Sequence, residues 1–104
     1  MASWIDVCAV EDIDREDVIR FDHNLASYAI YRDPDGKFFA TDGKCTHENV
    51  QLADGLVMGD QIECPKHNGR FNYKTGVALR APVCVDLKTY PTRVVGQRVE
   101  IELQ

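Results

Sequence analysis

Short apolar runs separated by turn-forming residues recur along the chain, and no stretch sustains an apolar period of 3.6 residues. Trp4-Ile5-Asp6-Val7-Cys8 predicts a first strand, and Val18-Ile19-Arg20-Phe21 a second, after the acidic run from Glu11 to Asp17. Ala26 to Arg32 and Lys37 to Thr41 flank Asp33-Pro34-Asp35-Gly36. Proline presets φ and glycine accepts positive φ, so this segment predicts a hairpin. Gly59-Asp60, between Leu56-Val57-Met58 and Gln61-Ile62-Glu63, predicts a shorter one. Thr92 to Val95 and Arg98 to Leu103 flank Gly96-Gln97, and the charged–apolar alternation from Arg98 to Leu103 turns one face to solvent. A single helical turn is expected around Ile13 to Asp17, capped by Asp12 or Asp14. The chain reads as all-β, an antiparallel sandwich or barrel.

A length of 104 residues, with 44% hydrophobic and 28% charged positions, predicts one folded domain over 1–104. Twelve Lys and Arg against 17 Asp and Glu leave a formal charge of −5, which argues against nucleic acid as a partner. No apolar run approaches the ~20 residues of a membrane span. The N-terminal Met1-Ala2-Ser3-Trp4-Ile5-Asp6 meets acid too early for a signal peptide. These features predict a soluble cytoplasmic protein with no membrane partner. Cysteines stand at 8, 45, 64 and 84. In a secreted chain that even number would suggest two disulfides; in a reducing compartment, with histidines close to two of them, metal ligands are expected instead. There is no Cys-x-x-Cys to seat dithiol chemistry.

The informative constellation is Cys45-Thr46-His47 and Cys64-Pro65-Lys66-His67, with 16 residues between the two pairs. Both pairs lie in segments rich in Gly, Pro, Asn and Asp, and the hairpin predicted between them would return two loops side by side. Two thiolates and two imidazoles facing one another can hold zinc or a two-iron cluster. Zinc knuckles usually pair like ligands over short gaps, whereas here each loop offers one sulfur and one nitrogen. In a two-iron cluster that arrangement lets one iron take both thiolates and the other both imidazoles. Two neutral imidazoles in place of thiolates remove negative charge, ease addition of an electron and raise the potential.

At these residues the chain resembles the Rieske [2Fe–2S] proteins. Cys45-x-His47 and Cys64-Pro65-x-His67 match the family's two boxes, and Gly69-Arg70-Phe71, Gly76, Ala81-Pro82-Val83 and Leu87-Lys88-Thr89-Tyr90-Pro91 follow its pattern. The likeness spans nearly the whole chain and is nearest to stand-alone ferredoxins of bacterial multicomponent oxygenases, with the rhizopine-catabolism branch as one candidate. It implies a three-layered β-sandwich with a small cluster-binding subdomain, its loops at about 43–72 and a Pro loop containing Pro82 beside them. It implies one [2Fe–2S] cluster per chain, held by Cys45, His47, Cys64 and His67. Asn68 stands where the family commonly has Gly, a position asparagine can fill at positive φ. High-potential members carry an extra disulfide pair, matched here by Val50 and Lys66, and two hydroxyls near the cluster, matched here by Gly69 and Phe71. Without those donors the potential is expected near the low end of the Rieske range, about −150 mV.

A cluster of this kind carries one electron and performs no substrate chemistry. Only His23 remains once His47 and His67 are assigned, too few for the two histidines and a carboxylate of an oxygenase iron site. No Gly-rich nucleotide loop precedes a helix, so the chain is not expected to bind nicotinamide or flavin. The resemblance therefore implies a non-enzymatic, monomeric carrier between a flavin-containing NAD(P)H ferredoxin reductase and a terminal Rieske oxygenase. Two rivals are a Rieske-like small subunit of nitrite reductase and a zinc-stabilised interaction module. Cys8 and Cys84 read as core thiols, His23 as a solvated turn residue, and Trp4, Phe38 and Phe39 as sheet packing. The acidic run reads as a solvated face, with docking to a basic reductase patch as the sharper alternative. Val50, Leu52, Pro65 and Pro82 are expected to form an apolar collar around the cluster.

Overall fold

The computed structural model describes residues 2–66, 68–82 and 85–104. Among them, three antiparallel sheets carry the fold. One outer sheet orders β1 (Ser3–Ala9), β11 (Arg98–Leu103) and β10 (Thr92–Val95). The middle sheet orders β2 (Asp17–His23), β3 (Ala26–Arg32), β4 (Phe38–Asp42) and β9 (Thr89–Tyr90). The third orders β5 (Leu56–Met58), β6 (Gln61–Glu63), β7 (Arg70–Asn72) and β8 (Ala78–Arg80).

The middle sheet is covered on both faces, which makes three layers. Ile30 and Ala40 pack with Cys8, Ile13, Val99, Ile101 and Leu103 of the first sheet and its flank. Ala29 and Tyr31 pack on the other side with Leu52, Val57, Ile62, Phe71 and Tyr73. Side chains alternate across a strand, so the adjacent Phe38 and Phe39 enter opposite cores. For the same reason β11 buries Val99, Ile101 and Leu103 and turns Glu100 and Glu102 outward. Trp4 lies half-buried on β1 beneath the Arg93 guanidinium, 4.2 Å from its ring centre.

All three expected hairpins form, with Arg32 facing Phe38, Met58 facing Gln61, and Val95 facing Arg98. At the first turn the Lys37 amide donates to the buried Asp33 carboxylate at 2.8 Å. Lys74 Nζ stands 3.0 Å from Asp33 and 3.0 Å from Asp60, joining the tips of the β3–β4 and β5–β6 hairpins. Burial opposes ionisation of Asp33, but the Lys37 amide and the Lys74 ammonium outweigh it and hold the carboxyl below its ordinary value.

The helical turn falls at Val10–Asp12, ahead of the span expected for it. Ile13 is buried between the first two sheets with extended backbone, and so the chain cannot stay helical there. Asp12, expected as the cap ahead of that turn, lies inside it instead; Ala9 is the N-cap, and the Asp12 carboxylate reaches back to accept the Ala9 amide at 2.9 Å. His23 also differs from expectation: it closes β2, half-buried, with its ring stacked on Phe21 at 6.1 Å. Cys8 is a buried free thiol, as expected; the reading of Cys84 lies outside the described residues. Strands β7, β8 and β9 have no counterpart among the elements read from the sequence. Among the described residues, no helix is long and apolar enough to cross a membrane.

Candidate metal centre

Two loops leave the sheets at the same end of the molecule. The first follows β4 and is pinned as a narrow extension: Leu52 N donates to Gly43 O at 2.8 Å, Lys44 bridges Gln51, and Cys45 N donates to Val50 O at 3.0 Å. The second follows β6, where Cys64 N donates to Gly69 O at 2.7 Å. Asn68 holds φ 59° in that loop, the left-handed conformation anticipated for it. Gly55 brings the two loops together. A Cβ there would stand 2.1 Å from the Glu63 carbonyl oxygen, so only glycine lets β5 enter beside the residue preceding Cys64. The Thr46 hydroxyl donates to Val85 O at 2.7 Å and ties the first loop to the segment after Pro82.

This frame buries both sulfurs. Cys45 is 5% and Cys64 1% exposed. Burial pushes the Cys64 thiol up to about 11, and the Cys45 sulfur beside it adds to the rise. Two buried thiols side by side cannot both ionise without a cation, and a cluster iron bonded to both supplies that charge. The sulfur pair therefore fits one iron of a [2Fe–2S] cluster. His47 stands at the rim with its side chain 38% exposed and Nε2 3.7 Å from a Glu48 carboxylate oxygen. The two thiols are thus brought together, and among the described residues no three Cys, His, Asp or Glu side chains converge as a site for a single ion. His67, the fourth expected ligand, lies outside the described residues.

The surroundings amend two expectations. Leu52 is fully buried and packs in the core between the middle and third sheets, so it is not part of an exposed collar. Its one-turn segment, Leu52–Asp54, folds the chain back from the first loop into β5 and carries the side chain inward. Val50 is half-buried, Pro82 likewise, and Pro65 is exposed. The acidic run is partly consumed by the fold: the Glu16 carboxylate accepts the Gly59 amide at 2.8 Å and Asp17 accepts Val18 N. Gly59 is the tip of the β5–β6 hairpin, at the opposite end from Cys64, which places the acidic run away from the cysteines.

Two hydroxyls of this half of the molecule already donate to backbone carbonyls. Thr46 donates to Val85 O, and the Tyr73 hydroxyl donates to Gly59 O at the far tip. Phe71, fully buried against the cysteine-bearing core, has none to offer.

The described geometry agrees with independent comparisons. The model of the Rieske [2Fe-2S] domain matches residues 3–91. The ferredoxin component of the naphthalene 1,2-dioxygenase system of Pseudomonas aeruginosa is 44% identical over 100 residues, covering 96% of this chain and 95% of that one. A ferredoxin of Sphingomonas yanoikuyae B1 superposes with a TM-score of 0.91 at 33% identity, over 98% of this chain and 100% of the other. A chain from the complex of reduced oxygenase and oxidised ferredoxin in carbazole 1,9a-dioxygenase gives 0.88 at 34% identity, over 94% and 91%. With paired buried thiols on two loops, three layered sheets and a family match over most of its length, the chain belongs to the Rieske [2Fe–2S] domain family.

Proposed function

We propose that the chain is a ferredoxin that carries one electron from an NAD(P)H-dependent, flavin-containing reductase to a terminal Rieske oxygenase. The cluster supplies a reversible one-electron couple. In this reading the 1–104 chain is one Rieske domain, with Cys45, His47, Cys64 and His67 on loops within about 43–72 as the ligands. The observation that carries it is the buried Cys45–Cys64 pair, which the fold holds beside the rim where His47 stands. The sulfurs face the dry core and His47 faces outward, so an electron has its shortest way out along the imidazole side. The chain acts as a monomer in the cytoplasm, where NAD(P)H is produced and thiols stay reduced. It binds no substrate itself and is not an enzyme.

The test is a redox titration followed by EPR of the reduced protein, with iron and acid-labile sulfide assayed on the same sample. A Rieske signal with a midpoint near about −150 mV is expected. Cys45→Ser and Cys64→Ser should each abolish iron and sulfide incorporation. Zinc in place of iron, with no reducible signal, would overturn the carrier reading.

A further inference from the structure

The β2–β3 hairpin closes on two residues, Asn24 and Leu25, between the facing pair His23 and Ala26. Both hold positive φ, 49° and 68°, the geometry in which Asn-Gly is the favoured pair. Leucine stands where glycine is expected, at a conformation its Cβ resists. Its side chain packs on nothing: Leu25 is 109% exposed. A large apolar side chain held out at a strained tip is unfavourable for the isolated molecule on both counts.

The position of this tip is informative. Gly43 N donates to Ser27 O at 2.9 Å, and Gln51 Nε2 donates to the Ser27 hydroxyl at 3.3 Å, so the hairpin is joined to the first cysteine loop. The β3–β4 pairing ends with Tyr28 facing Asp42, three residues before Cys45. An open groove of about 620 Å³ runs beside the tip, with Arg20, Asp22, His23, Leu25, Gly43 and Lys44 in its lining. Leu56, beside Glu63, and Val85, anchored by Thr46, also expose apolar surface at this end of the molecule.

We propose that Leu25 is a docking anchor that inserts into an apolar recess on the terminal oxygenase, next to the cluster-bearing loops, and selects that partner. The proposal rests on the carrier reading above. A second copy of this chain fits less well, because one side chain and a groove rim fall far short of the ~1,600 Å² of a stable protein interface. A transient redox partner needs only such a small contact, and the solved structure sharing 34% identity is a complex of reduced oxygenase and oxidised ferredoxin.

Leu25→Asn is the informative variant, because asparagine accepts the backbone conformation while removing the apolar side chain. It is to be compared with wild type for its EPR signal, its reduction by the NAD(P)H reductase, and turnover of the terminal oxygenase that the wild-type chain reduces. The expected result is an unchanged signal and reductase rate, with KM for the ferredoxin in oxygenase turnover raised about fivefold or more and kcat retained. An unchanged KM overturns the proposal, as does an equal loss on the reductase side or a wild-type dimer that Leu25→Asn dissociates. Should the variant lose its cluster, Leu25→Gly repeats the test; loss of the cluster there too would make the tip structural and overturn docking. A wild-type chain that reduces no oxygenase would instead refute the carrier reading.

Discussion

At the scale of single residues, what surrounds the two sulfurs decides the electronic character of the site. Phe71 is buried in the same core as Cys45 and Cys64, and Thr46, beside Cys45, and Tyr73, of that core, direct their hydroxyls to backbone carbonyls. Neither of these two hydroxyls is left to stabilise an added electron through a sulfur. Phe71→Tyr is therefore expected to raise the midpoint potential. A hydrogen bond worth about 1 kcal/mol to the reduced state corresponds to about 40 mV for one electron. Redox titration of the variant against wild type measures the shift, and a fall in potential would contradict the assignment. The paired Cys/His motifs and the positive φ of Asn68 were legible in the residues themselves, because side-chain chemistry and backbone tolerance are local properties. The burial of Leu52 was not, since an apolar residue beside a ligand box can face either way until the turn after it is placed.

At the scale of elements, the long strands were legible and the three-residue ones were not. β3 and β11 carry enough residues to show alternation or a buried run, and each is bounded by turn formers. β7 and β8 are three residues each and gain their hydrogen bonds only from neighbours already in place. Their sheet depends on a close approach that a single glycine permits. Gly55→Ala would drive a methyl group into the Glu63 carbonyl, separating β5 from the strand that leads into Cys64. The expected cost is about 2–3 kcal/mol, together with reduced cluster retention. Thermal denaturation and iron content of the purified variant check both, and wild-type values for both would show that the loops can part without loss.

At the scale of the whole molecule, the two ends differ in chemistry. The cysteine loops and exposed Leu25 occupy one end. The other gathers the turns at Asp33, Gly59 and Lys74 and the acidic run, held by the Asp33–Lys74–Asp60 ion cluster and the Glu16–Gly59 contact. Asp33 is buried and its folded-state pKa is lowered, so its contribution is present above the unfolded-state value and is lost as pH falls through the folded-state value. Lys74 is raised by the two carboxylates, so its share is present below the unfolded-state value and is lost only as pH rises through the higher folded-state value. Asp33→Asn, which keeps an oxygen for the Lys37 amide, should destabilise the protein by about 2 kcal/mol at neutral pH. That difference should shrink as pH falls below the ordinary aspartate range. Urea melts of both proteins across pH give the comparison; a difference independent of pH in acid would assign the effect to packing instead of charge.

By itself the amino-acid sequence determined the all-β class, the three hairpins and the paired Cys/His boxes, because these depend on residue chemistry and on neighbours a few positions away. Tertiary structure alone decided which apolar residues line the core, how Gly55 admits β5, and how Lys74 bridges carboxylates 41 and 14 positions away. It also decided that Leu25 projects beside the first cysteine loop. Those relations join segments far apart along the chain, and their energies exist only once the sheets have brought the segments into contact.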